Sequence, residues 1–109
     1  MESTNEAILT IPWVEFLSQS PASFTELCRT FENSPQDTII DASDQSEMSI
    51  SENLVAFGTT VAQHQKTLVL IFPAAGELEL NSTDWNVVPT QQEAEDFISF
   101  ERMQRDLGF

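Results

Sequence analysis

At 109 residues the chain has room for one domain with a modest core and no room for a second. Eighteen acids against Arg29, Lys66, Arg102 and Arg105 give a formal charge of −14, which repels nucleic-acid phosphates and anionic lipid and favours protein partners with a basic face. The single cysteine excludes an internal disulfide, and no apolar run approaches the roughly 20 residues that span a bilayer.

The N-terminus MESTNEAILT lacks the basic region and apolar core of a signal peptide, so a cytoplasmic location is expected. Residues 1–5 are polar and read as a flexible end, leaving 6–109 as the domain. Ala7 to Ile11 is β-prone and is closed by Pro12, which suits a sheet edge or strand end. Trp13 to Leu17 fits either a second strand or a loop pressed on the core. Ser20 is placed as an N-cap with Pro21 first in a helix whose Phe24, Leu27, Cys28 and Phe31 share one face. Cys28 on that stripe reads as a packed thiol.

Thr38 to Ala42 reads as a strand covered on both faces. Ser49 and Glu52 then have the spacing of a capping box for a helix from about Ile50 to Gln63, with Leu54, Phe57, Gly58, Val61 and Ala62 on its inner side. Thr67 to Phe72 is the most apolar strand, so residues 38–72 form a strand, helix, strand unit with parallel strands. Glu77 to Leu80 alternates as a short extended piece, and Asn86 to Val88 is a last strand. Thr90 and Glu93 form another capping box. The helix that follows is expected to bury Ala94, Phe97, Ile98, Phe100, Met103 and Leu107 and to end at Gly108. The predicted fold is α/β, a small, mostly parallel sheet covered by about three helices. Trp13 and Trp85 are expected in the core or at its edge.

Chemical constellations are sparse. Asp41, Asp44 and Glu47 follow the carboxyl end of a parallel strand, where open α/β sheets bind ligands, and a divalent cation is one reading of them. Solvated loop acids are the preferred one, since no second acidic pair or nearby lysine accompanies them. Three glycines cannot build a phosphate loop, and the single His64 and Cys28 lie on different elements without a nucleophile motif. No cofactor, metal or catalytic residue is predicted.

The strand ending at Ser43, the helix after it, the strand Thr67 to Phe72 and the tail VVPTQQEAEDFISFERMQRDLGF together resemble the STAS family, the fold of anti-sigma factor antagonists. The tail is the most specific part, and is similar to that of small bacterial STAS-like proteins sometimes labelled ribonuclease Z. Metal-dependent hydrolysis of that kind needs a cluster of His and Asp ligands that one histidine cannot supply. The resemblance covers roughly residues 36–109. It implies a reduced STAS-like domain whose partner is a protein, an anti-sigma-like kinase or another regulator. Switched members carry Asp-Ser-Ser-Gly at the start of the central helix, where this chain has Ile50 in the acceptor's place and Glu52 in the glycine's. No phosphosite is carried over, although a one-residue shift would bring Ser49 or Ser51 to the acceptor position.

The expected function is a non-enzymatic STAS-like interaction module, monomeric or weakly dimeric. It would dock a protein through the loop from Ser43 to Ser51 and the following helix, using Asp44, Glu47, Ser49, Ser51, Glu52 and Asn53. The alternative is an acidic mimic of nucleic acid that occupies a nucleic-acid-binding protein.

Overall fold

A computed structural model of the chain describes residues 8–45, 51–73 and 85–108. Its elements are β1 (Ile8–Pro12), α1 (Trp13–Leu17), α2 (Pro21–Asn33), β2 (Asp37–Asp41), α3 (Glu52–Gln63), β3 (Leu68–Ile71), β4 (Asn86–Val88) and α4 (Gln91–Asp106). The four strands form one sheet in the order β1-β2-β3-β4, and every described pairing is parallel. The α/β class and the parallel sheet are as the sequence predicts. The described helices number four rather than three, and β1 is an edge strand ended by its proline.

The period of two along the strands divides the core. Ile40 and Ala42 in the β2 segment, with Leu68, Leu70 and Phe72 in the β3 segment, pack with Phe31 of α2 and with Leu54, Phe57 and Val61 of α3. Ile39, Val69 and Ile71 face the opposite way, onto Ala94 and Ile98 of α4. The adjacent Ile39 and Ile40 are both buried because the sheet is covered on both faces.

The undecided stretch Trp13 to Leu17 is a short helix. Trp13 and Phe16, three apart, turn inward and are 2% and 1% exposed, while Val14 and Leu17 turn out. Pro12 ends the extended run, and five residues are enough for one turn that delivers both aromatics to the core. Their rings start a chain of aromatic contacts: Trp13 to Phe16 (5.9 Å), Phe16 to Phe57 (5.9 Å), Phe57 to Phe31 (5.7 Å) and Phe31 to His64 (5.5 Å). The N-terminal third is thereby locked to the β2-α3-β3 unit. Trp85 is also buried.

Local chemistry explains the helix ends. Ser20 Oγ accepts the Ser23 N–H while Ser23 Oγ accepts the Ser20 N–H, a reciprocal cap with Pro21 following it. Thr90 Oγ1 accepts the Glu93 N–H. Gly108, at φ +83, takes the left-handed conformation after α4 and donates its N–H to the Arg105 carbonyl.

Three expectations are corrected. The N-cap of α3 is Ser51, whose Oγ accepts the Leu54 N–H at 3.1 Å, so the box from Ser49 to Glu52 does not start this helix. Ala62 is exposed, because the inner face of α3 is completed by Leu54, Phe57, Gly58 and Val61. On α4, Phe100, Met103 and Leu107 are 53%, 58% and 65% exposed rather than buried. At about 100° per residue, Leu107 lies about 180° from Ile98, so one helix face cannot hold both. The inner line of α4 is instead Ala94, Ile98, Arg102 and Arg105, at spacings of four, four and three. The extended piece predicted at Glu77 to Leu80 and the predicted flexible end at 1–5 lie outside the described residues.

Candidate functional site

The carboxyl end of the sheet is shaped by β2 running into a tight turn. Asp41 Oδ1 accepts the Ser43 N–H at 2.9 Å, and the Gln45 N–H returns to the Ala42 carbonyl at 3.1 Å, so the chain reverses at once after the strand. Asp44 projects into solvent, with Gln45 donating its amide to Oδ1 at 3.1 Å. Across the crossing, α3 opens with Ser51 as cap, Glu52 exposed and Asn53 half-buried. Glu52 at the first helical position complements the positive end of the helix dipole.

Of the residues expected to form a docking face, Asp44, Ser51, Glu52 and Asn53 therefore flank one loop at one end of the sheet. Glu47 and Ser49, together with Ile50, lie outside the described residues. The Ser51 oxygen is committed to the helix end. Ser51→Ala is expected to cost about 1 kcal/mol of stability, read as a lower urea midpoint with unchanged slope.

Three apolar residues that the sequence patterning did not single out belong to the same end. Val14 and Leu17 lie on α1, which begins directly after the carboxyl end of β1. Val55 lies in the first turn of α3, after the carboxyl end of β2. They are 59%, 54% and 45% exposed. For Val14 and Leu17 the signal was the doubled apolar character of WVEFL, since a five-residue helix with four apolar side chains cannot bury all of them; Val55 adjoins Leu54 on α3, and only Leu54 faces inward.

At the opposite end of the sheet lies a dense polar cluster. Asp37, fully buried at the start of β2, holds Arg102 Nε at 2.7 Å from Oδ2 and Arg105 Nη2 at 3.0 Å from Oδ1. The Thr67 N–H donates to Oδ1 at 2.9 Å, and Arg105 Nη1 donates to the Gln65 carbonyl at 2.8 Å. Burial alone would push the Asp37 carboxyl up, but the hydrogen bond from Arg102, the Thr67 N–H and the charge of Arg105 together hold it below its ordinary value. Both carboxylate oxygens are satisfied from several sides, as in a clamp that binds α4 to β2 and to the α3-β3 turn. The sequence signal was the pair Arg102 and Arg105 one turn apart on the line of Ala94 and Ile98.

The remaining reactive groups are occupied in packing. Cys28 is half-buried, and burial, with the Glu32 carboxylate adding to it, pushes its thiol up and away from the nucleophilic thiolate. His64 ends α3 with Nδ1 2.9 Å from the Thr60 carbonyl and its ring edge-on to Phe31. Among the described residues, no group of three or more His, Cys, Asp or Glu side chains is placed to hold a metal ion, and no helix is long and apolar enough to cross a membrane. No family model, curated protein or solved structure matches the chain.

Proposed function

We propose that the chain is a STAS-like protein-interaction module of the cytoplasm that acts by docking, with no reaction of its own. The observation that carries this is that exposed Val14, Leu17 and Val55 and the exposed acids Asp44 and Glu52 all lie in segments that follow the carboxyl ends of β1 and β2. Apolar side chains left in water are the part of a surface that gains most from being covered, and acids around them select partners by sign. The −14 charge acts at longer range, raising the encounter rate with a basic partner and lowering it with anionic ones. The STAS resemblance of the tail and of the strand-helix-strand unit points to a regulatory protein as that partner, an anti-sigma-like kinase among the candidates.

Affinity purification of the tagged chain, with identification of the co-purifying protein, tests this surface. Recovery is expected to fall about tenfold or more for Asp44→Lys combined with Glu52→Lys, and again for Val55→Ser. Recovery unchanged in both variants would remove the carboxyl end as the docking site. Displacement of the partner by duplex DNA would favour the nucleic-acid mimic instead.

A further inference from the structure

The outward line of α4 carries a pattern that neither the core nor the carboxyl-end surface uses. Glu93, Asp96, Phe100, Met103 and Leu107 follow one another at spacings of three, four, three and four, the repeat that keeps side chains on one seam of a helix. Phe100, Met103 and Leu107 are each more than half exposed, and Glu93 and Asp96 are exposed as well. The seam is therefore acidic in its first half and apolar in its second. Its apolar part spans about 10 Å along the helix axis, at 1.5 Å per residue. Behind it, both arginines of α4 are held by Asp37 on the side facing the sheet.

This division of charge discriminates between occupants. A second copy paired in parallel on the same seam sets Glu93 against Glu93 and Asp96 against Asp96. Paired antiparallel about Phe100, it sets Leu107 against Glu93 and Met103 against Asp96, so carboxylates are desolvated against apolar side chains. Neither arrangement satisfies the whole seam; an antiparallel overlap about Met103 joins only the three apolar residues of each copy and leaves Glu93 and Asp96 unused, and the overall charge of −14 opposes every self-pairing. An amphipathic helix with three apolar residues and two Lys or Arg residues in succession on the same three-four spacing satisfies every position. We infer that the outer face of α4 is a second docking site, and that its occupant is such a basic amphipathic helix from a partner protein. Phe100 is its aromatic anchor, and Glu93 and Asp96 set the direction in which the partner helix lies.

The probe is a synthetic peptide of about 18 residues, enough for partial helicity, with Leu at three successive seam positions and Arg at the next two, and Ala and Gln elsewhere. Two control peptides replace Arg by Glu or scramble the order. Fluorescence anisotropy is expected to show the Arg peptide binding at least about tenfold tighter than either control. Phe100→Gln combined with Met103→Gln is expected to remove that advantage, with an unchanged thermal melt because both side chains face solvent. Should the double variant melt lower, Leu107→Gln serves as the second apolar variant. Glu93→Lys combined with Asp96→Lys is expected to invert the preference toward the Glu peptide. Asp44→Asn combined with Glu52→Gln is expected to leave binding within about twofold, which keeps this site distinct from the carboxyl end. A preference that does not invert, apolar variants that bind as the wild type does, or loss of binding in the Asp44 and Glu52 variant would each overturn the assignment. So would a wild-type dimer in sedimentation equilibrium that Phe100→Gln dissociates, since the occupant would then be a second copy.

Discussion

Phe57→Ala is expected to lower the stability of the domain by about 3–5 kcal/mol. Phe57 is fully buried on α3, and its ring touches Phe16 of α1 at 5.9 Å and Phe31 of α2 at 5.7 Å, the latter edge to face. Truncation removes transfer free energy and two aromatic contacts at once, and three helices meet there, so the cavity cannot close by moving one of them. Domains of this size are stable by roughly 5–15 kcal/mol, so a large share is lost. The urea midpoint should fall with little change in slope, and the melting temperature should drop by about 12–20 °C. Phe100→Ala is the matched control: at a residue 53% exposed, it should change stability by less than about 1 kcal/mol. A Phe57→Ala loss no larger than that of the control would mean that the aromatic chain does not hold α1 and α2 to α3.

The parts of the fold legible in the sequence were those with local, one-dimensional signals. Ser20 before Pro21, Thr90 three residues before Glu93, Gly108 after Leu107 and the apolar run at Thr67 to Phe72 each act within a few residues of chain, and the structure shows caps, terminator and strand there. What the sequence concealed depends on pairing across distance. Asp37 sits just outside an apolar run and looks like a loop acid until β2 begins one residue before Thr38 and brings it against α4. The three outer apolar residues of α4 looked like core because pattern reading credits hydrophobic side chains to the inner face, whereas here two arginines occupy that face for the last turns. Ser51 caps α3, and the sequence could not choose it over Ser49, since both serines satisfy the residue preference for that position.

The candidate site was legible to a smaller degree. Asp44, Glu52 and Asn53 were placed at the carboxyl end by the strand-helix-strand pattern alone, because parallel strands put their following loops on one side of the sheet. The apolar half of that surface was not, because exposure of Val14 and Leu17 follows from α1 turning Trp13 and Phe16 inward, and that of Val55 from α3 turning Leu54 and Phe57 inward. The two ends of the sheet thus have separate tasks: the carboxyl end presents side chains outward, and the amino end ties the last helix in place.

That tie yields the second large effect. Asp37→Asn keeps the shape of the side chain and removes the charge that both arginines face, and it is expected to cost about 2–4 kcal/mol at neutral pH. Breaking a buried pair by removing one partner typically costs about 3–5 kcal/mol, and here the arginine side chains, 20% and 30% exposed, recover part of their hydration. The dependence on pH follows from the direction of the shift. The folded-state carboxyl of Asp37 is held below its ordinary value, so its contribution is present above the unfolded-state pKa of about 3.9 and is lost as pH falls through the lower folded value. Urea melts of the wild type and of Asp37→Asn should therefore differ by a constant amount from neutral pH down to about 5 and converge below about pH 4. Since the other carboxylates titrate in both proteins, the difference between the two isolates Asp37. A gap that persists undiminished to about pH 2 would show that the substitution acts through packing and not through the charge that holds Arg102 and Arg105. Because Arg105 also grips the Gln65 carbonyl, where the backbone turns at φ +60, the same variant should release protection of the Thr67 amide in hydrogen exchange before that of the β3 amides buried between α3 and α4.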